Sequence, residues 1–285
     1  MVERVVRRYA HAKINLFLRV LGRRADGYHD IETLITPVSL ADEVTVRASP
    51  ELRLELRGDE RLEGVPVDER NLAVIAAREL AEACQLDPVA EIVIDKRIPV
   101  AGGLGGGSAD AAACLWALNE LWGCGRDASA LAEVGLLVGS DVPALVMEQP
   151  VLARGRGEDV EAVTMRSLWW VLVPQAFPVS TAAAYGWWDE DAGTPHPAGT
   201  AQVFAAASSG DAEALGRALF NDLEEPVMKR HAEIARSKER LLEEGALGAI
   251  MCGSGPTVGG LARDERHANE LADALSPAFV VIGPP

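Results

Sequence analysis

The sequence is short of the residues that staple, ligate or span. Its 285 residues hold four cysteines, Cys84, Cys114, Cys124 and Cys252, and none stands in a CxxC pair. Neither a disulfide scaffold nor a thiolate zinc site is expected, and the thiols are read as reduced. Five histidines, His11, His29, His196, His231 and His267, show no HExxH or HxxxH spacing, so no pair of imidazoles shares a helical face and no structural zinc is expected. No segment approaches the roughly 20 unbroken apolar residues of a bilayer-spanning helix. The opening MVERVVRRYAHAK lacks the apolar core of a secretory signal, which makes the cytoplasm the expected location. Positive charge is also scarce: 27 Lys and Arg stand against 43 Asp and Glu, a formal net charge of −16. That balance argues against a non-specific nucleic-acid binder, and an anionic nucleotide would have to meet a locally positive site. With 48% apolar and 25% charged residues the chain is globular, with material for one large domain or two modest ones. No internal repeat or low-complexity tract is present, and nothing fixes an oligomeric state.

The pattern of elements is mixed. Between Ile14 and Val20 the residues alternate, with Ile14, Leu16, Leu18 and Val20 on one face and Lys13, Asn15, Phe17 and Arg19 on the other, as in a half-buried strand. Lys13 and Asn15 therefore point the same way. A turn at Arg24 to Gly27 leads into strand-like segments at Glu43 to Ala48 and Leu52 to Leu56. After Asp68, read as an N-cap, Leu72, Ile75, Ala76, Leu80 and Ala83 recur at helical spacing. A strand at Glu91 to Ile94, a glycine-rich stretch and a helix from about Ser108 to Trp122 follow in that order. A helix over Ala128 to Leu137 and a strand over Val142 to Met147 come next, and Arg154 to Gly157 is the expected crossing between domains. Beyond it the sequence predicts a strand at Leu168 to Val173, helices at Ala182 to Trp188, Ala201 to Ala207, Asp211 to Phe220 and Lys229 to Leu242, and a strand near Ala249. A glycine turn at Cys252 to Pro256 then precedes a closing strand, helix and strand. The second half reads as a compact α+β unit.

The stretch from Pro99 to Asp110 places five glycines within Gly102 to Gly107, directly before a helix. Glycines let successive N–H groups turn inward, and a helix start adds unpaired N–H groups and a positive dipole end, so polyphosphate fits. The same run would also serve as a flexible or tightly packed turn. Better-known glycine motifs are excluded by position. A Walker loop needs Lys then Ser or Thr after its last Gly, and Gly107 is followed by Ser108 and Ala109. No register from Gly102 to Gly107 supplies Gly at i, i+2 and i+5 of the dinucleotide fingerprint. Asp110, two after Ser108, rules out a Gly-x-Ser-x-Gly nucleophile elbow.

The segment Pro-x3-Gly-Leu-Gly-Gly-Gly-Ser resembles the signature of GHMP kinases, whose glycine loop wraps the triphosphate of ATP. Ala12-Lys13-Ile14-Asn15-Leu16 and Gly253-Ser254-Gly255-Pro256-Thr257 resemble the first and third motifs of that superfamily, in the right order. Arg24 to His29 and Gly139 to Pro143 further resemble the branch that phosphorylates the 2-hydroxyl of 4-diphosphocytidyl-2-C-methyl-D-erythritol in the non-mevalonate isoprenoid pathway. Ala109 stands where the family usually has a second Ser, so residue 109 brings no hydroxyl to phosphate or magnesium.

The resemblance implies an α+β, two-domain GHMP kinase fold with the active site in the interdomain cleft. Residues 1–155 would form the N-terminal ATP-binding domain and 156–285 the C-terminal domain. It implies Asp141 as the group that orients or accepts the hydroxyl proton, with Lys13 paired to it, and Asn15 at the sugar-alcohol end. Tyr28 would stack on cytosine and His29 hydrogen-bond its edge. On the ATP side it implies Asn71 and Lys96 near adenine, and the loop of Pro99, Gly102, Gly103, Leu104, Gly105, Gly106, Gly107, Ser108 and Ala109 around the phosphates. Mg2+ would arrive with ATP, Ser108 its one suggested protein contact. Trp169-Trp170 and Trp187-Trp188 read as core and interface, while Tyr185 or Trp187 could help close the cytidine pocket. Two other readings stay open. One is a GHMP kinase for mevalonate, homoserine or a sugar, which Asp26 to His29 disfavours; the other is a non-catalytic nucleotide-binding protein, which retention of Lys13 and Asp141 disfavours.

Overall fold

A computed structural model describes residues 4–58, 62, 64–197 and 199–285. Packing divides the chain into two compact units. One takes the residues up to Ala12, Leu40–Val100 and Gly105–Glu148; the other takes Lys13–Ser39, Ala101–Leu104 and Gln149–Pro285. The division is not a single cut, because the first two strands are long: β1 (Val5–Arg23) and β2 (His29–Arg47) have 19 residues each and each contributes to both units.

In the first unit, β2 pairs antiparallel with β4 (Glu91–Asp95) and β4 pairs parallel with β3 (Arg53–Arg57). Helices α1 (Leu72–Cys84) and α2 (Gly106–Trp122) pack on one another. Their apolar faces share a core with Val44, Val46, Ile92 and Ile94, where Leu80, Leu115 and Leu118 are fully buried. Small residues on both helices, Ala73, Ala77, Ala111 and Ala117 among them, are buried at that contact, which lets the backbones approach. Helix α1 is capped by Asn71, whose side chain accepts from the Ala73 N–H, and not by Asp68. Asp68 instead accepts from Arg70, at its backbone and its guanidinium.

Helix α3 (Ala128–Val138) is capped by Asp127, and the segment after it differs from the expected strand. Val142–Val146 forms a short helix, α4, with proline in its first turn. A five-residue apolar run does not separate helix from strand; Pro143 lacks an N–H, which costs nothing at a helix start and favours the helical choice.

In the second unit, β2 pairs with β5 (Val151–Gly155) and β5 with β6 (Asp159–Ala162). Arg154 to Gly157 closes that hairpin, with the Gly157 N–H bonded to the Arg154 carbonyl, and the change of unit falls at Gln149. A four-stranded antiparallel sheet has the order β11 (Phe279–Gly283), β7 (Leu168–Val173), β10 (Val258–Ala262), β9 (Gly248–Met251). Trp170 sits fully buried on β7. Helices α9 (Ala232–Glu243) and α10 (Glu265–Leu275) lie against this sheet and bury Ile234, Leu241, Leu271 and Leu275. Before them run α5 (Thr181–Glu190), α6 (Ala201–Ser209), α7 (Ala212–Ala218) and α8 (Glu224–Arg230).

Two expected helices are altered. The one reaching Phe220 stops at Ala218, because Phe220–Asn221 form a two-residue strand, β8, parallel to β1. There the Phe220 ring stacks on Phe17 at 5.4 Å. The helix expected over Lys229 to Leu242 is broken at His231, whose backbone leaves the helical region (φ −134°, ψ 79°) and whose ring stacks on Phe177 at 4.9 Å. Nor is β1 half-buried between Lys13 and Leu18. Lys13, Asn15 and Phe17, on the face expected to be polar, are as buried as Ile14 and Leu16. Phe204 and Phe220 cover Phe17. Among the described residues no helix is long and apolar enough to cross a membrane.

Candidate active site

The glycine loop is held at both ends by backbone. In the second unit, the Lys13 N–H donates to the Leu104 carbonyl at 2.9 Å and the Thr257 N–H to the Gly102 carbonyl at 3.2 Å. Gly103, at φ +77°, lies so close to the 252–255 turn that a Cβ would overlap the Cys252 carbonyl oxygen. Asn221 pins that turn, its amide donating to the Met251 and Gly253 carbonyls at 2.8 and 2.7 Å. The turn at Gly253 to Thr257 thus buttresses the loop, and it also reaches α5 through Ser254 and Thr181, whose hydroxyls are 3.0 Å apart.

In the first unit the loop becomes α2. Its N-cap is Gly105, at φ +71°, with no side-chain cap, and the first helical bond is from the Ala109 N–H to the Gly105 carbonyl. The N–H groups of Gly106, Gly107 and Ser108 are left for an external acceptor. Gly106 passes over Ile98 and Lys96, and a Cβ there would lie 3.1 Å from the Ile98 side chain, a tight contact that Ile98 would have to yield to. Unpaired N–H groups with a helix dipole behind them suit phosphate oxygens. Among the described residues no three His, Cys, Asp or Glu side chains converge as a metal cage. Magnesium with several waters and phosphate ligands needs none, and Ser108 is half-buried at the start of α2.

Lys13 is 5% exposed and its ammonium donates to the Asn15 Oδ1 at 2.8 Å. Asn15 donates to the Thr33 hydroxyl at 2.8 Å, which donates to the Phe17 carbonyl at 2.6 Å. The shared direction of Lys13 and Asn15 is thus realised as a buried polar chain. Asp141 is the N-cap residue of α4, yet its side chain makes no capping bond; the carboxylate has no structural partner among the described residues.

Tyr28 is 53% exposed, with Arg156 over its ring at 5.0 Å. His29, one residue on, is buried: its ring stacks on Tyr185 at 4.9 Å, meets Trp188 edge-on, and its Nε2 is 2.9 Å from Asp189 Oδ1. Trp187 points elsewhere, under Arg230 and beside His231. Sequence reasoning passed over Asp189; the spacing of Tyr185, Trp188 and Asp189, at i, i+3 and i+4 on one helix face, was the available signal.

Asn71 and Lys96 are turned inward. The Asn71 amide caps α1 and donates to the Pro66 carbonyl at 2.7 Å. Lys96 is bonded to Asp42 and, at 2.6 Å, to Asp110. Asp42 also accepts from the Arg97 N–H and, at 2.8 Å, from the Ile98 N–H. Burial opposes the charge on Lys96, but the two carboxylates outweigh it and hold its pKa above the ordinary lysine value. Burial pushes the Asp110 carboxyl up to about 8 against the pull of Lys96. Lys96 adjoins the loop, a Cβ on Gly106 falling 3.5 Å from its ammonium. Asp42 and Asp110, distant in sequence from Lys96, carried no local signal.

Comparison with known proteins shows the family. Residues 71–149 match the family model for the GHMP kinases N terminal domain, and residues 203–281 the model for the GHMP kinases C terminal domain. A 4-diphosphocytidyl-2-C-methyl-D-erythritol kinase of Symbiobacterium thermophilum is 44% identical over 273 residues, covering 94% of each chain. The chain belongs to the 4-diphosphocytidyl-2-C-methyl-D-erythritol kinase family of GHMP kinases. A crystal structure of a 4-(cytidine 5'-diphospho)-2C-methyl-D-erythritol kinase superposes with TM-score 0.80 at 33% identity, covering 98% of this chain and 100% of the other. A homoserine kinase from Cytophaga hutchinsonii superposes with TM-score 0.76 at 21% identity, covering 99% and 95%. The fold is therefore shared by kinases of different acceptors, and the acceptor has to be read from side chains.

Proposed function

We propose that the protein transfers the γ-phosphoryl group of ATP to the 2-hydroxyl of 4-diphosphocytidyl-2-C-methyl-D-erythritol, giving the 2-phosphate and ADP, as a step of non-mevalonate isoprenoid synthesis in the cytoplasm. The observation that carries the reading is the buried ammonium of Lys13, bonded among the described residues only to an amide oxygen, on a strand whose backbone is tied to the glycine loop. A buried cation with a neutral partner calls for an anion from the ligand. In this reading residues 1–155 form the ATP-binding domain and 156–285 the C-terminal domain.

The transfer forms a bond between the acceptor oxygen and the γ-phosphorus, breaks the bond to the β–γ bridging oxygen, and passes the hydroxyl proton to Asp141. Such a transfer needs in-line placement and charge stabilisation more than covalent chemistry. Lys13 stabilises the charge on the transferring oxygens, and Asn15, which fixes Lys13, bonds the sugar-alcohol end. The N–H groups at the start of α2 hold the phosphates. Ser108 would be the protein hydroxyl available to Mg2+, which would supply further charge neutralisation on arriving with ATP. Tyr28 offers a ring face to cytosine and His29 its polar edge. Asn71 and Lys96 brace the ATP side from within.

A coupled ADP-release assay with 4-diphosphocytidyl-2-C-methyl-D-erythritol, mevalonate, homoserine and galactose as acceptors tests the reading. Turnover with the cytidylyl compound alone is expected; turnover with another acceptor would overturn the pocket assignment. His29→Ala should raise KM for the cytidylyl compound by about tenfold or more, the worth of a lost hydrogen bond, with KM for ATP unchanged. An unchanged KM for the acceptor would remove that role.

A further inference from the structure

We propose that Asp189 is a positioning residue that fixes the tautomer of His29 and so lets the pocket distinguish cytosine from uracil. The inference rests on the cytidylyl reading of the acceptor. An ionised carboxylate only accepts hydrogen bonds, so the imidazole nitrogen it faces, Nε2 at 2.9 Å, carries the proton. In the neutral ring the other nitrogen, Nδ1, is then a lone-pair acceptor. Nδ1 makes no hydrogen bond among the described residues, and it is not one of the sealed polar atoms without a partner. It is open to a ligand.

The ring cannot readily turn to offer anything else. Tyr185 stacks on it with planes 25° apart at 4.9 Å, and Trp188 meets it edge-on at 86° and 5.9 Å. Asp189 is itself steadied by Arg23, whose guanidinium lies 3.5 Å from its second oxygen. Tyr185, Trp188 and Asp189 all come from one face of α5, so a single helix holds the imidazole on its face, its edge and one nitrogen.

The consequence is chemical. Cytosine presents an exocyclic amino donor where uracil presents a carbonyl acceptor. A lone pair at Nδ1 accepts from the amino group and faces the uracil oxygen lone pair to lone pair. A site built around one hydrogen-bond polarity rejects the opposite one strongly, on the order of 10²-fold or more in kcat/KM.

The test uses the whole protein with the cytidylyl acceptor and its uridylyl analogue. Asp189→Ala is expected to raise KM for the cytidylyl compound about tenfold, leave kcat and KM for ATP within a few-fold, and reduce the cytidylyl-over-uridylyl preference by about tenfold. Asp189→Asn keeps an acceptor oxygen and should fall between. Histidine 15N spectra of the free protein should show His29 protonated at Nε2 in the parent and a tautomer mixture in Asp189→Ala. Equal losses with both bases, or a parent His29 protonated at Nδ1, would overturn the proposal. Parent protein that turns over neither compound would instead sink the acceptor reading and the specificity with it, while the 15N spectra, which need no substrate, still decide whether Asp189 sets the tautomer.

Discussion

Lys13 and Lys96 are both buried, at 5% and 9% exposure, and their surroundings are opposite. Lys96 sits between two carboxylates, and one of these, Asp42, also ties down two backbone N–H groups. Lys13 has an amide oxygen and a glycine turn pressed over it, a Cβ on Gly253 falling 2.8 Å from its ammonium. Removing a charge from water costs several kcal/mol unless a counter-ion is supplied. The region around Lys96 supplies its own and is finished as folded. The region around Lys13 is left incomplete, which suits a group whose partner arrives with the substrate.

The comparison breaks or holds on three measurements. Lys13→Met and Asp141→Asn should each lower kcat by about 10³-fold, the scale of a lost transition-state contact, with ATP affinity and melting temperature little changed. Loss of fold in Lys13→Met would make the two lysines alike. Lys96→Met should act in the reverse sense. It leaves the Asp42 and Asp110 side chains buried together without a cation, costing about 3–5 kcal/mol, which at roughly 2–4 °C per kcal/mol for a chain of this class is a fall on the order of 10 °C. Thermal melts read both.

The smallest effect concerns pH. Burial raises the folded Asp110 carboxyl to about 8, above its unfolded value near 4. The native state therefore keeps a proton that the unfolded chain releases. This contribution is fully present below the unfolded pKa and is lost as pH rises toward 8, with a limiting slope of about 1.4 kcal/mol per pH unit for one proton. Asp110→Asn, which resembles the protonated form, should flatten the decline in melting temperature between pH 5.5 and 8; an unaltered decline would mean that Asp110 is ionised in the native state.

The elements with a long, regular period were legible in the sequence: β1, α1, α2, α3, β7 and the strand, helix and strand that close the chain. What escaped was decided at a distance or by one residue. Val142 to Val146 became a helix on the strength of Pro143. Phe220 left its helix for a parallel partner, Phe17, about two hundred residues earlier. The site shows the same split. The glycine loop, Lys13, Asp141 and His29 were singled out by short motifs that resemble those of a family, whereas Asp189, Asp42 and Asp110 stood out only when folding placed them beside a histidine and a lysine.

The bonds joining Lys13 to Leu104, and Gly102 to Thr257, also constrain how the protein can be made. At roughly 5–20 residues per second of synthesis, about 8–30 s separate the appearance of Gly103 from that of Thr257. Until then the loop lacks the turn against which Gly103 lies. A chain that stops before Thr257 carries the residues of α1, α2 and their core but not the turn that shapes the loop.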